Sequence, residues 1–181
     1  YEQASMVNDP LNLFDIAPWA DGAAAVILTR LDNLPQGYSH PRVRISGSNI
    51  STDRLALHDR SDPLDLQAAR KSVEQACCQA GILPGDVNFF ELSDSASIYA
   101  ALSLEAAGFA ERGQGWRLAQ ESAIGLRGAF PINTFGGLKA RGNPGGATGI
   151  YQVVEATLQL RGVAGKNQVV KARRGLVQSI S

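Results

Sequence analysis

Residues 133–162, NTFGGLKARGNPGGATGIYQVVEATLQLRG, decide the fold. A glycine-dense loop runs straight into a helical pattern. Ile150, Val153, Val154, Thr157, Leu158 and Arg161 recur at spacings of three and four until Gly162 stops them, which predicts a helix burying that face. The loop holds Gly142, Gly145, Gly146 and Gly149, with Pro144 and Thr148 between them. Glycines let a backbone approach a ligand closely, and the first turn of a helix offers unpaired N–H groups to an anion or a developing oxyanion. The same spacing also fits a tight turn that only packs a helix on a sheet, and spacing alone favours that packing role.

Outward from that stretch, strands and helices alternate. Asp21-Gly22 turns into the apolar run 23–28 (AAAVIL), fit for a strand covered on both faces, after an irregular approach over residues 1–20. Residues 42–48 (RVRISGS) alternate and read as a second strand. Asp62 and Pro63 open a helix whose stripe is Leu66, Ala69, Val73, Ala76, Cys77 and Ala80, with Gly81 ending it. Residues 86–92 (DVNFFEL) read as a buried strand, and a polar tripeptide, Ser93-Asp94-Ser95, leads into a helix over 96–107. Ile98, Ala101, Leu102 and Glu105 share its packed face, and Ser93 or Ser95 caps it. A strand's carboxyl end running into a helix is a usual place for functional side chains. Residues 110–132 read as loop, and 168–172 and 175–181 as extended segments.

Composition excludes several classes. Of 181 residues, 44% are apolar and 19% charged, with 17 basic against 17 acidic, so the chain is neither disordered nor an electrostatic nucleic-acid binder. No apolar run approaches a membrane span. The two cysteines, Cys77 and Cys78, are adjacent and unsuited to pairing, which points to a reducing, cytoplasmic compartment. Cys77 falls on the packed stripe as a small apolar residue. His40 and His58 have no second ligand at metal-like spacing, so no metal site is expected. The chain opens on a polar segment without a methionine or a signal-peptide pattern.

The order of residues in GGLKARGNPGGATG resembles the glycine-rich motif of the thiolase family, in particular the sterol-carrier-type thiolases and acetyl-CoA acetyltransferases. That motif reads Gly-Gly, a spacer, then Gly-His-Pro-x-Gly-Ala-[Ser/Thr]-Gly opening a helix. Gly136, Gly137, Gly142, Pro144, Gly146, Ala147, Thr148 and Gly149 match it, and Asn143 stands at the histidine. PLNLFDIAPWADGAAAVIL resembles the segment closing the first thiolase half. At 91–96 the family has Glu-x-His-Asp-[Ala/Cys]-Phe; Glu91 and Asp94 keep the pattern, Ser93 takes the histidine position and Ala96 the aromatic one. A further position, a cysteine in many members, aligns with Ser179.

The resemblance covers about 10–181 and implies the C-terminal half of the thiolase fold: α/β, a mixed five-stranded sheet with helices on its faces. Residues 1–30 would then close the N-terminal half with its final strand, and 31–181 would form the C-terminal domain, its own last strand lying beyond the chain. A right-handed crossover through the 63–80 helix would join the strands near 43 and 87. Thiolases exchange acyl groups between coenzyme A and a carbon or sulfur nucleophile, using a cysteine from the first half and acid/base groups from the second. The resemblance therefore implies acyl-CoA as substrate, no covalently bound cofactor, and the N-terminal half as partner within a full-length homo-oligomer. Some relatives also associate with an OB-fold protein.

The positions that carry proton transfer in the family are here Ser93, Asn143 and Ser179, none of which titrates near neutrality. Asn143 keeps a donor that can polarise a carbonyl. Tyr151, just past the loop, is a candidate proton carrier or simply packs on the first helical turn. Gly136, Gly137, Gly145 and Gly146 are the candidate substrate-facing backbone. Three functions remain open: an acyl-CoA enzyme with altered chemistry, a catalytically silent subunit that binds acyl-CoA or a partner, and a purely structural domain.

Overall fold

The computed structural model describes residues 1–180; Ser181, which ends the predicted 175–181 segment, lies outside the described residues. At the centre is β3 (Phe89–Glu91), buried at every position. It pairs in parallel with β4 (Gly175–Val177), Phe90 opposite Leu176. On its other side it makes a parallel bridge to Ile132, and the Phe90 N–H donates to the Pro131 carbonyl at 3.0 Å. Successive strand side chains point to opposite faces. Phe90 thus packs with Val73, Cys77 and Leu104, and Phe89 with Ala156 and Val169. Helices cover both faces, α1 (Gln67–Ala80) and α2 (Ser97–Ala106) on one, α5 (Thr148–Arg161) on the other. This is the α/β class that the sequence predicts.

An antiparallel pair, β1 (Met6–Asn8) with β2 (Leu11–Asn12), makes the strand pairing mixed and adds order to a segment read as irregular. The runs 23–28 and 42–48, predicted as strands, are extended but carry no ladder partner among the described residues. Ile27, Leu28 and Ile45 are exposed, Ile27 at 96%, so β-propensity is present without a neighbouring strand to satisfy it. The crossover predicted between strands near 43 and 87 is accordingly not formed. Residues 168–172 also form no ladder.

Helix α1 begins at Gln67 rather than Pro63. Asp62 Oδ1 accepts the Leu64 N–H at 3.0 Å and the Asp62 carbonyl accepts the Asp65 N–H, which closes a separate turn before the helix. The stripe is as predicted, with Ala69, Val73 and Cys77 buried; burial pushes the Cys77 thiol up. Gly81, at φ +66°, ends the helix as its N–H reaches Cys78 O and the Ile82 N–H reaches Cys77 O. Gly162 closes α5 in the same way, through Gln159 and Leu158.

Two helix faces differ from prediction. In α2, Ser103, Leu104 and Ala106 are buried while Ile98 is exposed; SIYAALSLEA is apolar nearly all round, so periodicity selects no face. In α5 the buried face is Thr148, Gln152, Glu155, Ala156 and Gln159, whereas Val153, Val154 and Leu158 are half-buried and Ile150 is exposed. A further helix, α3 (Gly115–Gln120), stands in the stretch read as loop, its first N–H donating to Glu105 Oε1 at 2.8 Å.

Candidate functional site

The carboxyl ends of β3 and β4 and the amino end of α5 converge, and α4 (Gly137–Arg141) leads into the glycine loop between them. Beyond β3, Ser93 is buried and its Oγ accepts the Ile180 N–H at 2.9 Å. It does not cap α2, and neither does Ser95. The Ser97 N–H and hydroxyl both donate to Asp15, at 2.7 and 2.9 Å, so the helix start is held by a residue remote in sequence. Ser93 instead ties β3 to the segment after β4, which carries Ser179. Ser93→Ala leaves the Ile180 N–H without its acceptor. The expected cost is about 1–2 kcal/mol in urea denaturation at unchanged m-value.

Ser179 stands over the first turn of α5: a Cβ added to Gly149 would lie 3.3 Å from its Oγ. One residue earlier, the Thr148 hydroxyl donates to Asn143 Oδ1 at 3.3 Å, and the Gly145 N–H donates to the same oxygen at 3.0 Å. A backbone N–H can only donate, so this bond fixes which end of the Asn143 amide is oxygen and leaves Nδ2 as a donor. The Asn143 backbone bonds Pro18 O and the Ala20 N–H, which moors the loop to the chain before 21. Ser93, Ser179 and Asn143, far apart in sequence, therefore follow one another around the amino end of α5, where the helix dipole is positive.

Tyr151 takes a different position. The Arg141 guanidinium lies 5.1 Å from its ring centroid, and its hydroxyl lies 3.1 Å from where a Gly22 Cβ would stand. It packs between α4 and the 21–22 segment. Gly145 and Gly146 are exposed with open space at the Cβ position, so they form the rim of the loop. Gly137 is buried, and a Cβ there would overlap Asp94 Oδ2. Asp94 Oδ1 meanwhile accepts the Leu138 N–H at 3.0 Å, capping α4 from another element. Gly136, at φ +93°, makes the turn into α4.

Beneath the loop lies a cluster of charged residues to which the sequence reading assigns no role. Glu91 is fully buried and accepts from Thr134 N at 3.1 Å and Thr134 Oγ1 at 2.6 Å. Burial pushes its pKa up to about 7 despite those bonds. Glu155 of α5 is ion-paired with Arg141 of α4, and burial raises both Glu155 and Asp94, with Arg141 opposing in each case. A signal for Glu155 exists in its place on the Thr148–Gln152–Glu155–Gln159 spacing; for Arg141 there is none short of the fold.

A groove of about 530 Å³ opens beside Asp94 between α2 and α3, lined by Phe14, Ile98, Trp116, Ile124 and Lys139. It touches none of Ser93, Asn143, Tyr151 or Ser179. Among the described residues no helix is long and apolar enough to cross a membrane, and no three His, Cys, Asp or Glu side chains are placed to hold a metal ion.

A family model described as "Thiolase C-terminal domain-like" matches residues 50–181. The chain is 42% identical over 177 residues to an acetyl-CoA acetyltransferase of Methanothermobacter thermautotrophicus, covering 98% of itself and 46% of that protein. It is 32% identical over 182 residues to Sterol carrier protein 2 of Gallus gallus, covering 98% of itself and 33% of that protein. A solved structure titled "Ltp2-ChsH2(DUF35) aldolase" superposes with TM-score 0.78 at 22% identity, over 97% of this chain and 46% of that one. The chain thus spans less than half the length of these relatives.

Proposed function

The chain belongs to the thiolase family, and from that premise we propose that it is the C-terminal domain of an acyltransferase that forms or cleaves carbon–carbon bonds at acyl-CoA thioesters. One observation carries the reading: Asn143, held by Gly145 and Thr148, keeps its amide N–H₂ as a donor at the amino end of α5, flanked by Ser179 and Ser93. A fixed donor beside a helix N-terminus suits a thioester oxygen that gains negative charge as its carbon is attacked. Gly145 and Gly146 leave room for the substrate to approach the loop backbone. In this reading residues 31–181 form the domain. Residues 1–30 end the N-terminal half, which supplies the nucleophile and most of the homo-oligomer contact in a cytoplasmic enzyme.

The test is thioester turnover and acyl-CoA binding by the full-length protein beside Asn143→Ala and Asn143→His. Turnover is expected in the unmodified protein, with a loss of about 10²-fold or more in Asn143→Ala. Absence of both binding and turnover would leave the glycine loop a packing device.

A second reading is favoured by the commitment of the Ser93 hydroxyl and Asn143 Oδ1 to structural bonds. It is a catalytically silent subunit that binds acyl-CoA or seats an OB-fold partner. Binding without turnover, unrescued by Asn143→His, is its signature.

A further inference from the structure

The site residues offer no group that titrates near neutrality, yet the layer beneath them does. The carboxyls of Glu91 on β3 and Glu155 on α5 lie within hydrogen-bonding reach of each other. Each keeps one buried oxygen, Oε2, with no donor. A carboxylate only accepts, so two of them cannot satisfy one another; one proton placed between them supplies the missing donor. Around the pair the polar atoms are equally short of partners. Arg141 Nε has none, and Gln152, on the same face of α5 as Glu155 and 1% exposed, has none for either amide atom. The charged groups facing the pair are Arg141 from α4 and, acting on Glu155, Asp94 from the loop after β3; from the 131–134 segment Glu91 meets only the Thr134 hydroxyl and N–H.

Arg141 is two residues before Asn143, and its guanidinium stacks on Tyr151 in the first turn of α5. We infer that Glu91 and Glu155 share a single proton, and that this proton, by leaving Arg141 one buried carboxylate to pair with rather than two, holds the loop that presents Asn143. Glu91 is then a positioning residue for the thioester site, and the inference rests on that reading of the loop. With the proton in place, the Glu91–Glu155 pair presents one negative charge to the guanidinium instead of two. Its loss adds a second buried charge, which pulls on Arg141 and slackens the loop.

The experiment uses the full-length protein without substrate, so its outcome is separate from that of the turnover assay. Two quantities are followed from pH 4.5 to 9: the thermal midpoint, and the resonance of the Gly145 amide, which donates to Asn143, in glycine-labelled protein. The folded carboxyl titrates at about 7 and the unfolded one near its ordinary value of 4.5, so the folded state binds the extra proton between those limits. Stability is therefore highest below that window, falls as pH rises through it, and levels above about 7; the folding equilibrium constant drops roughly 300-fold across it. The Gly145 resonance moves with a midpoint near 7. Glu91→Gln keeps the acceptor for Thr134 and carries a permanent donor, so in it the Gly145 step vanishes, the stability step shrinks to what Glu155 and Asp94 contribute, and the high-pH midpoint rises. In Glu155→Gln the Glu91 step shifts to lower pH, because Arg141 then has Glu91 alone. A Gly145 step that persists in Glu91→Gln, a stability step undiminished there, or a Glu91 step unmoved in Glu155→Gln overturns the shared proton. A stability step that Gly145 does not follow overturns the link to the loop.

Discussion

Gly137→Ala is expected to destabilise the fold by about 2–5 kcal/mol, as urea denaturation will show. Two effects add. The residue sits at φ +63°, where a Cβ costs about 1–2 kcal/mol. That Cβ would also overlap the Asp94 carboxylate, which caps α4 through the Leu138 N–H. Displacing it leaves a buried donor and a buried acid unmatched, worth about 1–3 kcal/mol more. Gly145 separates the two terms, because it has φ +60° but open space at its Cβ. Gly145→Ala should therefore cost only the backbone share, about 1–2 kcal/mol. Adding Asp94→Ala to Gly137→Ala removes the obstacle, so the pair should cost less than the sum of the single variants. Strict additivity would show that the overlap is relieved elsewhere. The contrast also divides the glycine motif by surroundings: Gly137 is packed against Asp94, and Gly145 and Gly146 have open space at the Cβ position.

The parts of the fold that follow from local rules were legible. The α1 stripe, the Gly81 and Gly162 stops and the doubly buried FFE strand depend on periodicity and on one residue's backbone freedom, which a single stretch contains. Helix α5 shows where that reading stops. Its two candidate faces share the same 3.6-residue period, and hydropathy favours Val153, Val154 and Leu158. The fold buries Gln159 instead, because its amide satisfies a neighbouring loop: Oε1 accepts the Val169 N–H at 2.8 Å and Nε2 donates to Asn167 O at 2.7 Å. A polar side chain whose bonds are met is stable inside, and that is a property of the partner segment, not of the helix. The runs 23–28 and 42–48 fail for the complementary reason, since a strand exists only with its neighbour.

The grouping of the candidate residues was legible, but not what supports it. Order of residues located the glycine loop, Asn143, Ser93 and Ser179, and the fold brings those together. Nothing in the spacing joins Arg141 to Glu155, fourteen residues apart across the whole loop, or sets Glu91 against both. Charged residues so spaced read as solvated surface. Only the return of the chain through Gly142 to Gly149 encloses them.

Arg141→Ala tests how much rests on that enclosure. Arg141 opposes the burial-raised pKa of Glu91, Asp94 and Glu155. Without it, each carboxyl must stay charged in a poor solvent or take up a proton from solution. Removing one partner of a buried pair costs about 3–5 kcal/mol, and here three acids lose the same cation. The sign with pH follows. All three pKa values rise further in the variant, so its folded state holds protons to higher pH than the wild type. Each unit of pH above the unfolded carboxylate range then adds to the deficit. At pH 8 the full cost of about 3–5 kcal/mol is expected. Near pH 5, where Glu91 is protonated in both proteins, the deficit is smaller, and the lost contact with Tyr151 makes up about 1 kcal/mol of it. Denaturation at the two pH values decides the matter, and an equal loss at both would mean that Arg141 contributes by packing alone. Arg141→Lys sharpens the result, since an ammonium keeps the charge and gives up the planar stack on Tyr151. It should recover most of the deficit at pH 8 and a smaller share of it at pH 5. If so, the charge beneath the loop, more than the contact on Tyr151, holds Asn143 in place.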